Sequence, residues 1–195
     1  MQYDALSNLF SLDGRRALVT GGSSGIGRAI ATALAAAGAH VIVAARTPAT
    51  IDATVADIVD RGGSAEGAVA DLAERSGAHA LADRVSDIDV LVNSAGINLR
   101  PPLPELTEET WDRTMRVNLD APFILGQRLA PRMAERGYGR IIHISSQQAQ
   151  RPFASSGAYG VSKAGLEALA RSQAEAWSPR GVTANVLVPA SCAHR

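Results

Sequence analysis

Six short apolar runs, separated by longer stretches with helical spacing, constrain this chain more than any other feature. The runs are Arg16–Thr20 (RALVT), His40–Ala45 (HVIVAA), Ala65–Ala70 (AEGAVA), Ile88–Asn93 (IDVLVN), Gly139–Ser145 (GRIIHIS) and Gly181–Val188 (GVTANVLV). Most are rich in β-branched residues with no polar alternation, the pattern of strands buried on both faces. Helical patterns lie between them at Ile26–Ala37, 49–61, 74–85, 107–136 and 158–177. Gly38 ends the first of these as a C-cap does, and Thr107 is placed to cap the fourth, with Glu108 and Glu109 in its first turn. Strand–helix alternation of this order predicts an α/β fold with a doubly wound parallel sheet, right-handed crossovers and helices on both faces.

Bulk properties narrow the function classes. The 195 residues make one domain, 1–195, with no repeat and no linker. Nineteen basic residues balance nineteen acidic ones. A neutral chain without a basic stripe predicts neither nucleic-acid nor anionic-membrane partners. No apolar run approaches the ~18 residues needed to span a bilayer, and the opening MQYDALSNLF has no signal-peptide pattern. One cysteine, Cys192, rules out an internal disulfide and fits a reducing, cytoplasmic location. The four histidines are scattered, so no metal site is expected, and His143, on a strand, reads as packed rather than catalytic.

The turn LVTGGSSGIGRAI joins the first strand to the first helix, with glycines at 21, 25 and 27. Such a turn needs glycine for tightness, for close approach of backbone to a pyrophosphate, and for packing of helix on strand. The helix N-terminus then offers its N–H groups and positive dipole end to phosphate. A glycine-rich turn alone is a weak signal. Following a strand and opening a helix in a βαβ unit, it predicts a Rossmann dinucleotide site. The second strand ends in Ala45–Arg46 where an acidic residue would bind a ribose diol. With no carboxylate to repel a 2′-phosphate and a guanidinium to pair with it, NADP(H) is favoured over NAD(H).

SSGAYGVSKAGLEALA sets Tyr159 and Lys163 one helical turn apart on one face. An ammonium there favours the phenolate, which suits a tyrosine to general acid–base work. Ser145 and Ser146 close the fifth strand, at the carboxyl edge of the sheet where ligands bind. Either hydroxyl is placed to hold a carbonyl or alcohol. Taken singly, a Y-x-x-x-K pair is common on solvated helix faces; the joint pattern carries the weight.

These residues resemble the short-chain dehydrogenases/reductases of the single-domain type. The matching segments are TGGSSGIG (Thr20–Gly27), Asp71–Leu72, NSAG (Asn93–Gly96), VNLDAPF with Asn118, HISS ending at Ser146, and YGVSK (Tyr159–Lys163), in the family's order across nearly the whole chain. The resemblance implies an oxidoreductase that passes a hydride between a nicotinamide cofactor and a secondary alcohol or ketone. It implies a catalytic set of Asn118, Ser146, Tyr159 and Lys163. Tyr159 would be the proton donor or base, and Ser146, rather than Ser145, would hold the substrate oxygen. Lys163 would act on Tyr159 and the nicotinamide ribose, and Asn118 would hold a water that links Lys163 to solvent. It implies cofactor contacts from Gly21, Ser23, Ser24, Gly25, Ile26, Gly27, Arg46, Asp71, Leu72, Asn93, Ala95, Gly96, Tyr159, Lys163 and Pro189. It also implies homodimers or homotetramers formed through the helices at 107–136 and 158–177. NLFSLDGRRALVTGG and NSAGINLRPP most resemble gluconate and sugar-acid dehydrogenases, with 3-oxoacyl-carrier-protein reductases as the alternative. A third reading is a cofactor-binding or interaction protein without catalysis, which has no need of the four catalytic residues together.

Three departures stand against that pattern. Ser94 replaces an asparagine, the helical stretch before the fourth strand is about one turn short, and the end differs most. Family members run to about 250 residues and read P-G-x-x-x-T after the sixth strand, followed by a substrate lid and a seventh strand. Here Pro189 is followed by ASCAHR, with His194 where the threonine belongs. One inserted base can restore that motif, so residues 190–195 are read as out of frame. The expectation is a Rossmann fold lacking the last strand and substrate lid, with little or no turnover.

Overall fold

The six apolar runs form six parallel strands: β1 (Arg16–Thr20), β2 (His40–Ala45), β3 (Ser64–Val69), β4 (Val90–Asn93), β5 (Gly139–Ile144) and β6 (Val182–Leu187). The computed structural model describes residues 10–85, 87–153 and 155–189. The frame question at 190–195 therefore lies outside the described residues. Strand order is β3-β2-β1-β4-β5-β6. The chain starts in the middle, winds one way to β3, then crosses back to β4 and winds the other way. A crevice opens where β1 and β4 part, the place where doubly wound sheets bind ligands.

Six α-helices connect the strands: α1 (Gly25–Ala36), α2 (Pro48–Asp60), α3 (Arg75–Arg84), α4 (Glu108–Met115), α5 (Ala121–Glu135) and α6 (Gly157–Trp177). Alternate strand residues feed two cores. Ala17, Val19, Val41 and Val43 pack with Ala31 and Ala35 of α1 and Ile51 and Ile58 of α2. Leu18, Ile42, Leu91 and Ile141 pack with Leu81 of α3 and Ile124, Leu125, Leu129 and Met133 of α5, with Ala174 and Trp177 of α6 alongside. This is the layered Rossmann-like arrangement expected of β-branched runs buried on both faces.

Two differences from the sequence reading exceed a single residue at an element's end. β4 begins at Val90 rather than Ile88, because the Asp89 carboxylate turns to accept the Arg16 backbone N–H at 3.0 Å. More consequentially, the single helix expected over 107–136 is broken. Thr107 caps α4 by accepting the Thr110 N–H at 3.2 Å, but residues Arg116–Asp120 form a π turn before α5 resumes. Pro122 supplies the reason. It has no N–H to give Asn118 four residues back, and its ring crowds that carbonyl. The Ala121 N–H instead reaches back to Arg116 O.

Candidate active site

At the end of β1, Thr20 ties two loops together. Its Oγ1 donates to Val92 O at 3.3 Å and accepts the N–H groups of Ser94 and Ala95, each at 3.2 Å. The chain then turns at Gly21, whose φ is +66° and where a Cβ would lie 2.9 Å from the Ala95 backbone. At Gly27 a Cβ would overlap the Gly21 carbonyl, so α1 can pack on the turn only with hydrogen there. Ser24 holds the N-cap position of α1 without a side-chain cap bond, which leaves the first N–H groups of the helix to a ligand.

A cleft of about 320 Å³ runs from this turn past the end of β2 to the loop after β3. Gly21, Ser23, Ser24, Arg46, Asp71 and Leu72 line it, with Ala95 and Gly96 on the β4 side. Arg46 is exposed and forms no ion pair with any described residue. Among the lining residues that sequence reasoning missed, three carry polar side chains: Thr47, Thr50 and Arg113. The threonines could have been found from their place directly after Arg46, at the start of α2. Arg113, on α4, gave no signal in the sequence, since only the fold brings it there.

A second cleft, about 510 Å³, continues from the glycine turn to the carboxyl end of β5. Gly25, Ile26 and Gly27 line one side; Ser146, Tyr159, Lys163 and Pro189 line the other. Tyr159 is half-buried and Lys163 is 4% exposed. Lys163 Nζ donates to Ile144 O at 2.8 Å and lies 5.7 Å from the centre of the Tyr159 ring. Burial lowers its pKa from 10.5 to about 8.

The two serines part company here. The Ser145 hydroxyl donates to Glu167 Oε1 at 2.9 Å, which commits it to α6. Ser146 Oγ accepts the Gln148 N–H at 3.2 Å and keeps its own proton for the cleft.

Asn118 and Asn93 sit behind the cleft wall rather than in it. Asn118 is fully buried in the π turn. Its amide accepts from Ile97 N–H at 2.9 Å, donates to Ile97 O at 2.9 Å and donates to Ser162 Oγ at 3.0 Å. Ser162 in turn donates to Tyr159 O at 2.7 Å. The side chain thus fastens the loop after β4 to the helix that carries Tyr159 and Lys163. Ser162, missed from the sequence, is the residue between two catalytic candidates that makes this possible. The Asn93 amide donates to His143 Nδ1 at 3.2 Å, and His143 Nε2 pairs with Gln173 Oε1 at 2.8 Å. That pattern fixes a neutral imidazole protonated at Nε2. Burial holds the His143 pKa below 6.5; the Gln173 bond opposes this and the Lys163 charge adds to it. His143 is packed, as read from the sequence. Among the described residues no group of His, Cys, Asp and Glu side chains could hold a metal, and no helix is long and apolar enough to cross a membrane.

Comparison with known proteins follows the same outline. The short chain dehydrogenase family model matches residues 15–194. Gluconate 5-dehydrogenase of Gluconobacter oxydans is 36% identical over 186 residues, which covers 93% of this chain and 73% of that protein. A 3-oxoacyl (acyl-carrier-protein) reductase from Agrobacterium tumefaciens C58, solved with NADP bound, superposes with a TM-score of 0.93 at 36% identity, over 97% of this chain and 74% of that one. A gluconate 5-dehydrogenase from Burkholderia cenocepacia J2315, in complex with NADP and tartrate, gives 0.85 at 37% identity, over 94% and 74%.

Proposed function

The chain belongs to the short-chain dehydrogenase family, and on that premise we propose that it passes a hydride between NADP(H) and the carbinol or carbonyl carbon of a small sugar acid of the gluconate class. The observation that carries this reading is the continuity of the two clefts: a glycine cradle at one end, Ser146, Tyr159 and Lys163 at the other. The residues fit the cofactor. Gly21 and Gly27 let the turn close against the loop after β4 and against α1, where any Cβ would collide with backbone, and the uncapped start of α1 faces the cleft. Arg46, with Ser23, Thr47 and Thr50 around it, suits a 2′-phosphate, and no carboxylate stands at the end of β2 to oppose one.

When bound, the nicotinamide supplies or accepts the hydride. The chain's own residues do the rest. The Ser146 hydroxyl donates to the substrate oxygen and orients it. The Tyr159 hydroxyl gives that oxygen a proton in reduction and takes one in oxidation. Lys163, close beside the ring, favours the phenolate electrostatically and is placed to reach the nicotinamide ribose. Asp71 and Leu72 border the adenine end, and Pro189 borders the nicotinamide end. Asn118 serves through its backbone, because its side chain is engaged with Ile97 and Ser162.

The sugar-acid assignment follows the gluconate dehydrogenases among the relatives. A 3-oxoacyl-carrier-protein reductase activity is the second reading, favoured by the 0.93 superposition. Assembly is proposed through α4–α5 and α6, where Trp111, Phe123 and Val161 are exposed apolar residues. A cytoplasmic home agrees with the single cysteine.

The test is direct. NADPH and NADH affinities are measured by fluorescence quenching of the purified chain. Gluconate oxidation with NADP⁺ is then compared with reduction of an acetoacetyl thioester by NADPH. Tighter NADPH binding is expected, with turnover that is slow, as a site without its lid implies, and that favours gluconate over the thioester. Preference for the thioester would install the second reading, and cofactor binding with no turnover of either would leave a cofactor-binding protein.

A further inference from the structure

Arg113 has no partner on its own helix. It sits in the last turn of α4, where a cation ordinarily eases the C-terminal end of the dipole. Here the backbone runs on through the π turn into α5, so the helix does not end at that point. Nor does a carboxylate claim it. Asp112 pairs with Arg116 at 3.5 Å and Asp120 with Arg75 at 2.8 Å, and Arg113 enters no ion pair among the described residues. Its side chain lines the cleft instead, together with Val117 one turn further on, so this stripe of the helix faces the cleft.

Across the cleft stand Asp71 and Leu72, in the loop after β3. Leu72 and Val117 are both buried apolar side chains and give the cleft two aliphatic walls. Asp71 Oδ1 accepts the Ala73 N–H at 2.9 Å, which leaves Oδ2 as an acceptor. The polar equipment at this end is therefore a carboxylate oxygen that only accepts and a guanidinium that only donates. A flat ring with an amino donor beside a ring-nitrogen acceptor satisfies both. Adenine carries that pair at N6 and N7.

We propose that Arg113 is a binding residue that reads the base: its guanidinium donates to N7 of an adenine whose N6 amino group is held by Asp71. The inference rests on reading this cleft as the seat of the cofactor's adenosine half, and it goes further by giving base selection to a side chain from α4. Arg46, at the end of β2, is left to the 2′-phosphate, so the two arginines recognise different parts of the same ligand.

The test removes the two proposed partners one at a time. NADH, NADPH and 7-deaza-NADH, in which a carbon replaces N7, are titrated by fluorescence quenching against the parent, Arg113→Ala and Arg113→Lys. The side chain is exposed, so all three proteins keep the same Tm. Arg113→Ala weakens NADH and NADPH alike, by about tenfold. The parent binds 7-deaza-NADH about tenfold more weakly than NADH, and Arg113→Ala weakens the deaza compound no further, because the acceptor is already gone. Lysine keeps a donor without the planar fork and recovers part of the loss. A parent indifferent to N7 overturns the proposal. So does a loss in Arg113→Ala confined to NADPH, which would move the guanidinium to the 2′-phosphate, or a loss that is undiminished with the deaza compound. These titrations need no substrate, so absent turnover would count against the proposed reaction alone, whereas a parent that binds no dinucleotide would remove the adenosine site and this inference together.

Discussion

The two ends of the cleft are made of different material. The end proposed to hold phosphate is built from backbone: Gly21 and Gly27 permit contacts that a Cβ would block, and the uncapped start of α1 offers its N–H groups. The reacting end is built from side chains held by buried hydrogen bonds, among them Lys163 to Ile144 and Asn118 to Ile97 and Ser162. A site made of backbone fails when an atom is added; one made of side chains fails when an atom is removed. The two ends therefore break in opposite ways.

The largest expected effect is the removal of one oxygen at the reacting end. Tyr159→Phe deletes the proposed proton carrier and keeps the ring beside Lys163. Turnover should fall about 10³-fold, while NADPH affinity stays at the parent value. Steady-state kinetics and cofactor titration on the same protein check this together; surviving turnover would assign the proton to another group.

Lys163→Met separates function from stability. Lys163 titrates near 10.5 when unfolded and at about 8 in the fold. Below pH 8 the ammonium is buried at a cost, and the cost lapses as pH rises from about 8 to 10.5, because the unfolded chain then binds more protons than the folded one. The gap corresponds to about 3 kcal/mol at most. Methionine should therefore lower turnover about 100-fold and stabilise the fold at pH 7 by up to about that amount, with the gain vanishing near pH 10.5. Urea denaturation at the two pH values reads the difference. A destabilised variant would mean that the bond to Ile144 O outweighs desolvation.

At the other end a single added carbon suffices. In Gly27→Ala the Cβ meets the Gly21 carbonyl, and NADPH affinity should drop about 100-fold, or about 2.7 kcal/mol. Gly25→Ala sharpens the contrast. Nothing lies within 4 Å of a Cβ at Gly25, but φ is +49°, so the cost is conformational alone, about 1–2 kcal/mol. Equal effects at both positions would show that crowding is not what glycine relieves at 27.

What the sequence made legible divides along the same line. Glycine spacing is local, so a backbone-built turn is visible as a string. β1, β2 and β4 were readable because burial on both faces leaves an unbroken apolar run, whereas β3 and β6, at the sheet edges and only partly buried, were legible through their place in the strand–helix alternation. The side chains proposed for catalysis were legible as Tyr159, Lys163 and a serine pair. Choosing between Ser145 and Ser146 on physical grounds needed Glu167, which approaches only through the packing of α6 on β5. Asn93 was expected to line the cleft and instead reaches inward to His143, a pairing set by the β4–β5 register that aligns the two residues. The π turn was written in the sequence as Pro122 four residues after Asn118. An amphipathic pattern running through 107–136 masked it, since apolar spacing reports which face is buried and not whether each backbone bond can form. Arg113 left no trace at all.

The smallest expected effect lies at the rim shared by neither scheme. Arg46 is an exposed side chain at the backbone-built end. Its proposed partner, a 2′-phosphate, is absent from NADH. Arg46→Ala should weaken NADPH about tenfold, or about 1.4 kcal/mol, a typical value for a charge-assisted bond at a wet site, and leave NADH unchanged. Raising the salt concentration should shrink the parent's preference toward that of the variant, because salt screens the attraction between solvent-exposed charges. Isothermal titration of both cofactors at two ionic strengths measures all four quantities. Should NADPH and NADH weaken equally, Arg46 would be packing on the adenine that both carry, and discrimination would pass to Thr47, Thr50 or Arg113 on the same cleft.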